Sequence, residues 1–296
     1  MKRTHRSQRV RPPLELLLPF FLLYLLFWLV PLVQGLRLSL FDESIYGGGA
    51  FVGGANYAAL LRDGRFALAL FNTAFYALGV LLTVVPLAFA LALLLGRVPR
   101  RLREVCQFCL LLPSLTAPAA LAIFFLLAFN GPDGLLNRLV LLPLGLPVVN
   151  WLQDPWALRA ALVMQGVLRW TGLTAFLLAA GLAGIPRVYS EMARLEGATS
   201  YQRLRYLTLP LLRPLLAFVA LFLVFDAFVL FDGAYVLLRG SGGVTDAGLL
   251  LVTYSYQTAF SFGELGYAAA TSYTLVPLLA LFVWIFVRFR EAPALR

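Results

Sequence analysis

The sequence predicts an all-α membrane protein of six transmembrane helices with both termini in the cytoplasm. Three observations carry this. Hydrophobic residues make up 61% of the chain and charged residues only 13%, with a mean hydropathy of +0.86, too few charges for the surface of a soluble domain of 296 residues. Six apolar stretches each reach the roughly 20 residues that a hydrocarbon core about 30 Å thick demands. Basic residues fall unevenly between the connecting segments.

The stretches run from Leu14 to Leu36, Ala67 to Leu95, Val105 to Phe129, Leu158 to Ile185, Leu215 to Leu238 and Tyr267 to Val287. Each is expected to be helical, because only a helix satisfies its own backbone polar groups in lipid. Pro86, Pro113 and Pro118 are expected to kink their helices. The first stretch is too long for a secretory signal and has no small-residue cleavage site after it, so a retained anchor is expected. One membrane domain over 14–287 is predicted, flanked by a basic tail at 1–13 and a short tail at 288–296, with no appended soluble domain and no solenoid repeat.

Seventeen Lys and Arg residues fall in the N-terminal tail, the second and fourth loops and the C-terminal tail. Six fall in the alternate loops and one, Arg169, inside a span. The positive-inside rule therefore places both termini in the cytoplasm. The net charge of +10 is accounted for by these membrane boundaries, where cations meet anionic lipid, and implies no nucleic acid.

Several chemistries are short of parts. The single histidine, His5, lies in the basic tail, so neither a zinc cluster nor a Ser-His-Asp arrangement can be assembled. Cys106 and Cys109 share a helix face at the start of a span without a second pair, which favours packing over redox or metal chemistry. The glycine-rich stretches Gly47 to Gly54 and Arg239 to Gly243 lack the lysine that a Walker A loop needs, since Lys2 is the only lysine. They read as flexible external turns.

Two intramembrane acids stand out as candidates for a translocation path, Asp226 and Asp232. Asp226 lies about 18 Å along a helix from Pro214, near mid-membrane. A carboxylate there is costly, so it faces a wet pathway, pairs with a cation or is held in a packing contact. Asp232 falls about 240° further round a continuous helix, on another face. Arg169 is expected in the outer half of its span, snorkelling to the interface.

The fourth loop, 186–214, interrupts the apolar pattern. Tyr189, Met192 and Leu195 form an apolar stripe, with Arg187, Glu191 and Arg194 away from it. Gly197 permits a sharp turn, Ser190 or Thr199 can cap locally, a second short helix runs from Ser200 to Pro210, and Pro214 opens the next span. Such a helix fits either a membrane surface or a partner's groove.

The residues of this loop, E-M-A-x-x-E-G-A followed by L-x-L-P-x-x-x-P, resemble the EAA loop of bacterial ATP-binding-cassette import permeases. Glu191, Ala193, Gly197, Ala198, Leu209, Pro210 and Pro214 match that pattern; Met192, Glu196 and Leu204 replace its usual Ala, Asp and Phe. Phe51 to Tyr76 is similar to the F-V-G-x-x-N-Y…F…N-T segment of the sugar-permease branch, the maltose-, glycerol-3-phosphate- and lactose-type transporters. LLLPSLTAPAA, FNGPDGLLN, FDGAYVLLRG and AFSFGELGYAAA follow in that branch's order, with Arg239 and Ser241 departing from its glycine turn. The resemblance implies a type I importer subunit in a bacterial or archaeal cytoplasmic membrane, crossing it several times. It would partner a second permease, two ATPase subunits and an extracytoplasmic solute-binding protein. Glu191, Met192, Ala193, Glu196, Gly197 and Ala198 would couple to the ATPase. ATP and Mg would bind that partner, leaving no cofactor, metal or catalytic residue here. The solute would be a sugar, an oligosaccharide or a glycerol phosphate. Among rival classes, an ion-gradient-driven secondary transporter would need no ATPase, and a membrane lipid transferase would need an acid, base and metal set that is missing.

Overall fold

The first helices already show the architecture. In this computed structural model, which describes residues 14–290, α1 (Leu14–Tyr24) runs through a π turn at Leu25–Leu29 into α2 (Val30–Leu38). The basic tail at 1–13, with His5 and Lys2, and residues 291–296 lie outside the described residues. A hairpin follows, β1 (Phe41–Asp42) against β2 (Ala50–Phe51) in antiparallel register, Phe41 opposite Phe51. Its turn uses positive φ at Gly47, Gly48 and Gly49. The short α3 (Ala55–Leu60) leads to α4 (Gly64–Leu95), whose N-cap Asp63 accepts from the Arg65 and Phe66 amides.

Next come α5 (Arg100–Leu115), α6 (Pro118–Ala128) and the long α7 (Pro155–Ala183), capped by Asp154. The fourth loop contains α8 (Arg187–Leu195). Beyond it α9 (Ser200–Arg203) and α10 (Leu209–Val229) join through a π turn at Leu204–Thr208 into one helical run. The short α11 (Asp232–Leu237) and α12 (Leu251–Tyr256) precede α13 (Leu265–Arg290).

Among the described residues, five helical runs are long and apolar enough to cross a membrane, and six if α5 and α6 together count as one. Four predicted boundaries are corrected. The third span is not one helix: α5 and α6 meet at 95°. Thr116 and Ala117 are extended there, because the ring of Pro118 excludes the residue before it from the helical region. The fifth span stops at Val229 rather than Leu238, since Leu230 and Phe231 leave helical geometry before α11 begins. Pro210 does not end a helix, because the wide turn at Leu204–Thr208 accommodates it in the first turn of α10. The last helix also continues to Arg290.

The core forms where α4 and α7 run side by side in the same direction. Val80, Val84 and Ala88 on α4 meet Ala161, Leu162, Ala175 and Leu178 on α7, all buried. Small residues bring the backbones close, as expected where packing rather than water exclusion drives association. A Cβ at Gly79 would come within 2.7 Å of Val163, and one at Gly172 within 1.7 Å of the Leu110 carbonyl on α5. By contrast, the apolar side chains of α1 and α2 from Leu17 to Leu36 are exposed, and contact with the bundle comes late, where Gly35 meets Tyr273 and the Tyr273 hydroxyl bonds the Leu32 carbonyl.

Candidate functional site

Three polar assemblies stand out in this apolar bundle, one at each end and one at mid-depth. At the starts of α4 and α7, buried Asn72 donates to the Asp246 and Leu249 carbonyls at 2.8 and 3.0 Å and accepts from Arg159 Nε at 2.9 Å. Arg65 grips Asp246 through two nitrogens at 2.7 and 3.1 Å and reaches Gln257 at 3.3 Å. Gln257 in turn donates to the Gly240 carbonyl at 2.9 Å. These bonds hold the 238–250 segment, in which Arg239, Thr245 and Asp246 adopt positive φ. The second glycine-rich stretch is thus a tied turn.

Beside it, Asp63 accepts from the hydroxyls of Tyr254 and, at 2.9 Å, Tyr267. Burial pushes the Asp63 carboxyl up, but these two hydroxyls and the Arg65 and Phe66 amides outweigh it and hold the group below the ordinary aspartate value.

At mid-depth, Asp226 accepts from the Trp170 indole N–H at 2.7 Å, joining α10 to α7. Arg169 does not snorkel and does not lie in the outer half. It sits at the midpoint of α7 with its guanidinium 4.6 Å from the Trp170 ring centre, and its Nε is buried with no hydrogen-bond partner among the described residues. Arg169 and Asp226 thus meet the same indole, that of Trp170. The sequence presented these two residues separately; the fold brings them together with buried Tyr76 and Gln165.

A narrow cleft runs past this cluster, lined by Tyr76, Gln165 and Arg169 with Pro118 of α6 and Gly233 of α11. Both broken helices therefore open onto the same place, the arrangement in which irregular backbone is tolerated at membrane depth. Asp232 does not join the cluster: it is exposed in the first turn of α11, beyond the break. Its predicted angle from Asp226 presumed a continuous helix, which the break at Leu230–Phe231 removes.

At the other end, α8 closes with a Schellman cap. The Ala198 N–H bonds the Ala193 carbonyl at 2.9 Å, the Gly197 N–H bonds the Arg194 carbonyl at 3.0 Å, and Gly197 has φ +78°. Thr199 then caps the next helix by a reciprocal pair with Gln202, so of the two proposed caps it is Thr199 that acts. Ser190 instead donates to the Arg187 carbonyl. The predicted stripe is present and wider by one residue: Val188, Tyr189 and Met192 are at least half exposed and Leu195 is 90% exposed. Glu191, Glu196 and Gly197 are exposed as well, while Ala193 and Ala198 are half-buried.

Sequence reasoning passed over Asn72, Arg159, Gln165 and the Arg65–Asp246 pair. The first three were visible as polar residues inside apolar stretches, where each must find a partner. The Arg65–Asp246 pair, far apart in the chain, carried no local signal.

Comparison with known proteins agrees with this geometry. The family described as binding-protein-dependent transport system inner membrane component matches residues 85–290. The arabinooligosaccharides transport system permease protein AraP of Bacillus subtilis (strain 168) is 31% identical, over 87% of this chain and 82% of the relative. The lactose transport system permease protein LacF of Rhizobium radiobacter is 30% identical over 89% and 88%. Among solved structures, a bacterial ABC transporter involved in the import of the acidic polysaccharide alginate superposes with a TM-score of 0.82 at 20% identity, covering 95% of this chain and 96% of that one. A bacterial alginate ABC transporter in complex with an alginate pentasaccharide-bound periplasmic protein gives 0.79, over 94% and 93%.

Proposed function

Because the chain belongs to the family of inner membrane components of binding-protein-dependent transport systems, a multi-pass permease of the cytoplasmic membrane, we propose that it carries sugars or oligosaccharides inward at the expense of ATP hydrolysed on a separate subunit. The observation that carries the mechanism is α8: a helix closed at its C-terminus by the Gly197 turn, yet presenting an uncovered apolar stripe. Such a surface fits a groove on a soluble partner. In this reading Glu191, Met192, Ala193, Glu196, Gly197 and Ala198 seat α8 in the ATPase, which binds ATP and Mg. A second, related permease faces this one, two ATPase subunits lie beneath, and a solute-binding protein docks outside. Both termini lie on the ATPase side.

The solute class rests on the sugar-type relatives together with the mid-membrane cleft. Arg169 and Gln165 line that cleft, and Asp226 stands behind it, bonded to the Trp170 indole against which Arg169 packs. These are three groups able to exchange hydrogen bonds with hydroxyls, and we assign Asp226 to the translocation path. Asp232, exposed beyond the break, would meet solute earlier on its route. Closure of the ATPases moves α8, and the cleft switches between its two openings as a rigid-body change.

Gentle affinity purification from native membranes tests the assembly. A second permease and an ATPase are expected to co-purify, and Gly197→Asp is expected to lose the ATPase while inserting normally. A chain that purifies alone and transports along an ion gradient without ATP would sink the proposal.

A further inference from the structure

Three arginines that the transport reading does not use converge on one pocket, and we propose that it binds the phosphate headgroup of an anionic phospholipid. Arg97 follows the end of α4, Arg103 lies in the first turn of α5, and Arg187 opens α8 just past the end of α7. These sites are remote in sequence and are brought together where spans end, at the membrane boundary nearest the fourth loop.

The pocket has a volume of about 580 Å³. Gln107 lies with the arginines at its polar side, while Leu93, Phe176 and Leu182 line an apolar side. No acidic side chain lines it. The side chains of Arg97, Arg103 and Arg187 form no ion pair or hydrogen bond among the described residues, unlike Arg65, Arg100 and Arg138, which are paired with acids. Three like charges held together without a counter-ion repel one another, and an anion removes that cost. The apolar wall beside them selects an anion that carries acyl chains, and a basic pocket between membrane helices at the headgroup level is the recognised setting for such lipids. The site requires only that the chain is embedded in a membrane; it assumes nothing about solute or ATPase. Because Arg187 is the first residue of α8, an occupant would brace the hinge between α7 and the fourth loop.

The test uses the full chain, in whatever complex it purifies, equilibrated in detergent with phosphatidylglycerol or phosphatidylcholine and read by native mass spectrometry. Phosphatidylglycerol is expected to be retained at least about tenfold more than phosphatidylcholine. Each arginine is worth about fivefold, so Arg97→Gln, Arg103→Gln and Arg187→Gln combined should lower retention on the order of 100-fold. The corresponding triple Arg→Lys variant, which keeps the charges, should stay within a few fold of wild type, and circular dichroism checks that both variants are folded. Equal retention by wild type and the triple Gln variant overturns the site. Inorganic phosphate binding as tightly as phosphatidylglycerol would overturn the lipid assignment, because the apolar wall would then contribute nothing. Cross-linking of these arginines to acidic residues of a partner, with no lipid retained, would overturn it as well.

Discussion

Gly197 offers the sharpest test of the fourth loop, because its geometry separates two reasons for needing glycine. Its φ of +78° lies in the left-handed region, whereas a Cβ placed there would meet nothing within 4 Å. Within the chain, the demand is therefore conformational and not steric. An ordinary L-residue in this region costs about 1–2 kcal/mol, Asn less because it visits the region readily, and a β-branched residue most. At 1.4 kcal/mol per factor of ten, Gly197→Ala should lower the population of the seated turn by about 5- to 30-fold relative to its alternatives. Gly197→Asn should sit near wild type and Gly197→Val at the bottom of the series. The assay is ATPase subunit retained on purification, together with substrate-stimulated ATP hydrolysis, at matched membrane content. Wild-type behaviour of the Val variant would refute the φ argument. Equal damage by Asn and Ala would refute it differently, by showing that the partner's surface forbids any side chain there.

Three further outcomes are expected. Asp226→Asn keeps an acceptor for the Trp170 indole but removes the charge, so folded yield should hold while uptake rate or solute preference changes; an unchanged profile would make the residue a packing contact. Gly172→Ala drives a Cβ to 1.7 Å from the Leu110 carbonyl, so α5 and α7 must separate at a cost of about 1–3 kcal/mol, read as a lower thermal midpoint in detergent; an unshifted midpoint would show that the helices slide apart freely. For Asp63 the native carboxyl titrates below its ordinary value of 3.8, so its stabilising contribution is present above that value and fades as pH falls through the lower native one. The stability gap between wild type and Asp63→Asn should accordingly be full at neutral pH and close in acid, and a gap independent of pH would exclude the carboxylate as its source.

What could be read from the sequence divides along physical lines. Four of the six spans appear within a few residues of their predicted ends, because lipid thickness and backbone satisfaction leave an apolar run of that length little choice. The Gly197 turn, the Thr199 cap and the α8 stripe were legible for the same reason: each is a local rule acting over a few residues. The 95° bend was half legible, since Pro118 announced a kink but not its size. The break at Leu230–Phe231 was invisible. Both residues are apolar and neither is glycine or proline, and the chain turns there because α11 packs against α6, a tertiary contact. The mid-membrane cluster was hidden by the same limit. Arg169 and Asp226 could each be noticed, but only the packing of α7 against α10 makes them neighbours.

That hidden break gives the loop its reach. From Ser200 to Val229 the helix is continuous over 30 residues, a rod about 45 Å long at 1.5 Å per residue. One end follows α8 directly across the Gly197 turn and is capped by Thr199, and the other carries Asp226 three residues before its last residue, Val229. A tilt of about 10° at the loop would displace the far end by about 8 Å over that length. A helix continuing to Leu238 would carry such a motion past the cleft without changing its shape. A helix that stops at Val229 delivers the motion to Leu230 and Gly233, where the cleft has its wall. The Trp170–Asp226 bond then acts as a pin close to that end, so displacement concentrates between the pin and the break. Under the proposed mechanism, ATP-driven movement of α8 and rearrangement of the solute path are two ends of one rigid element.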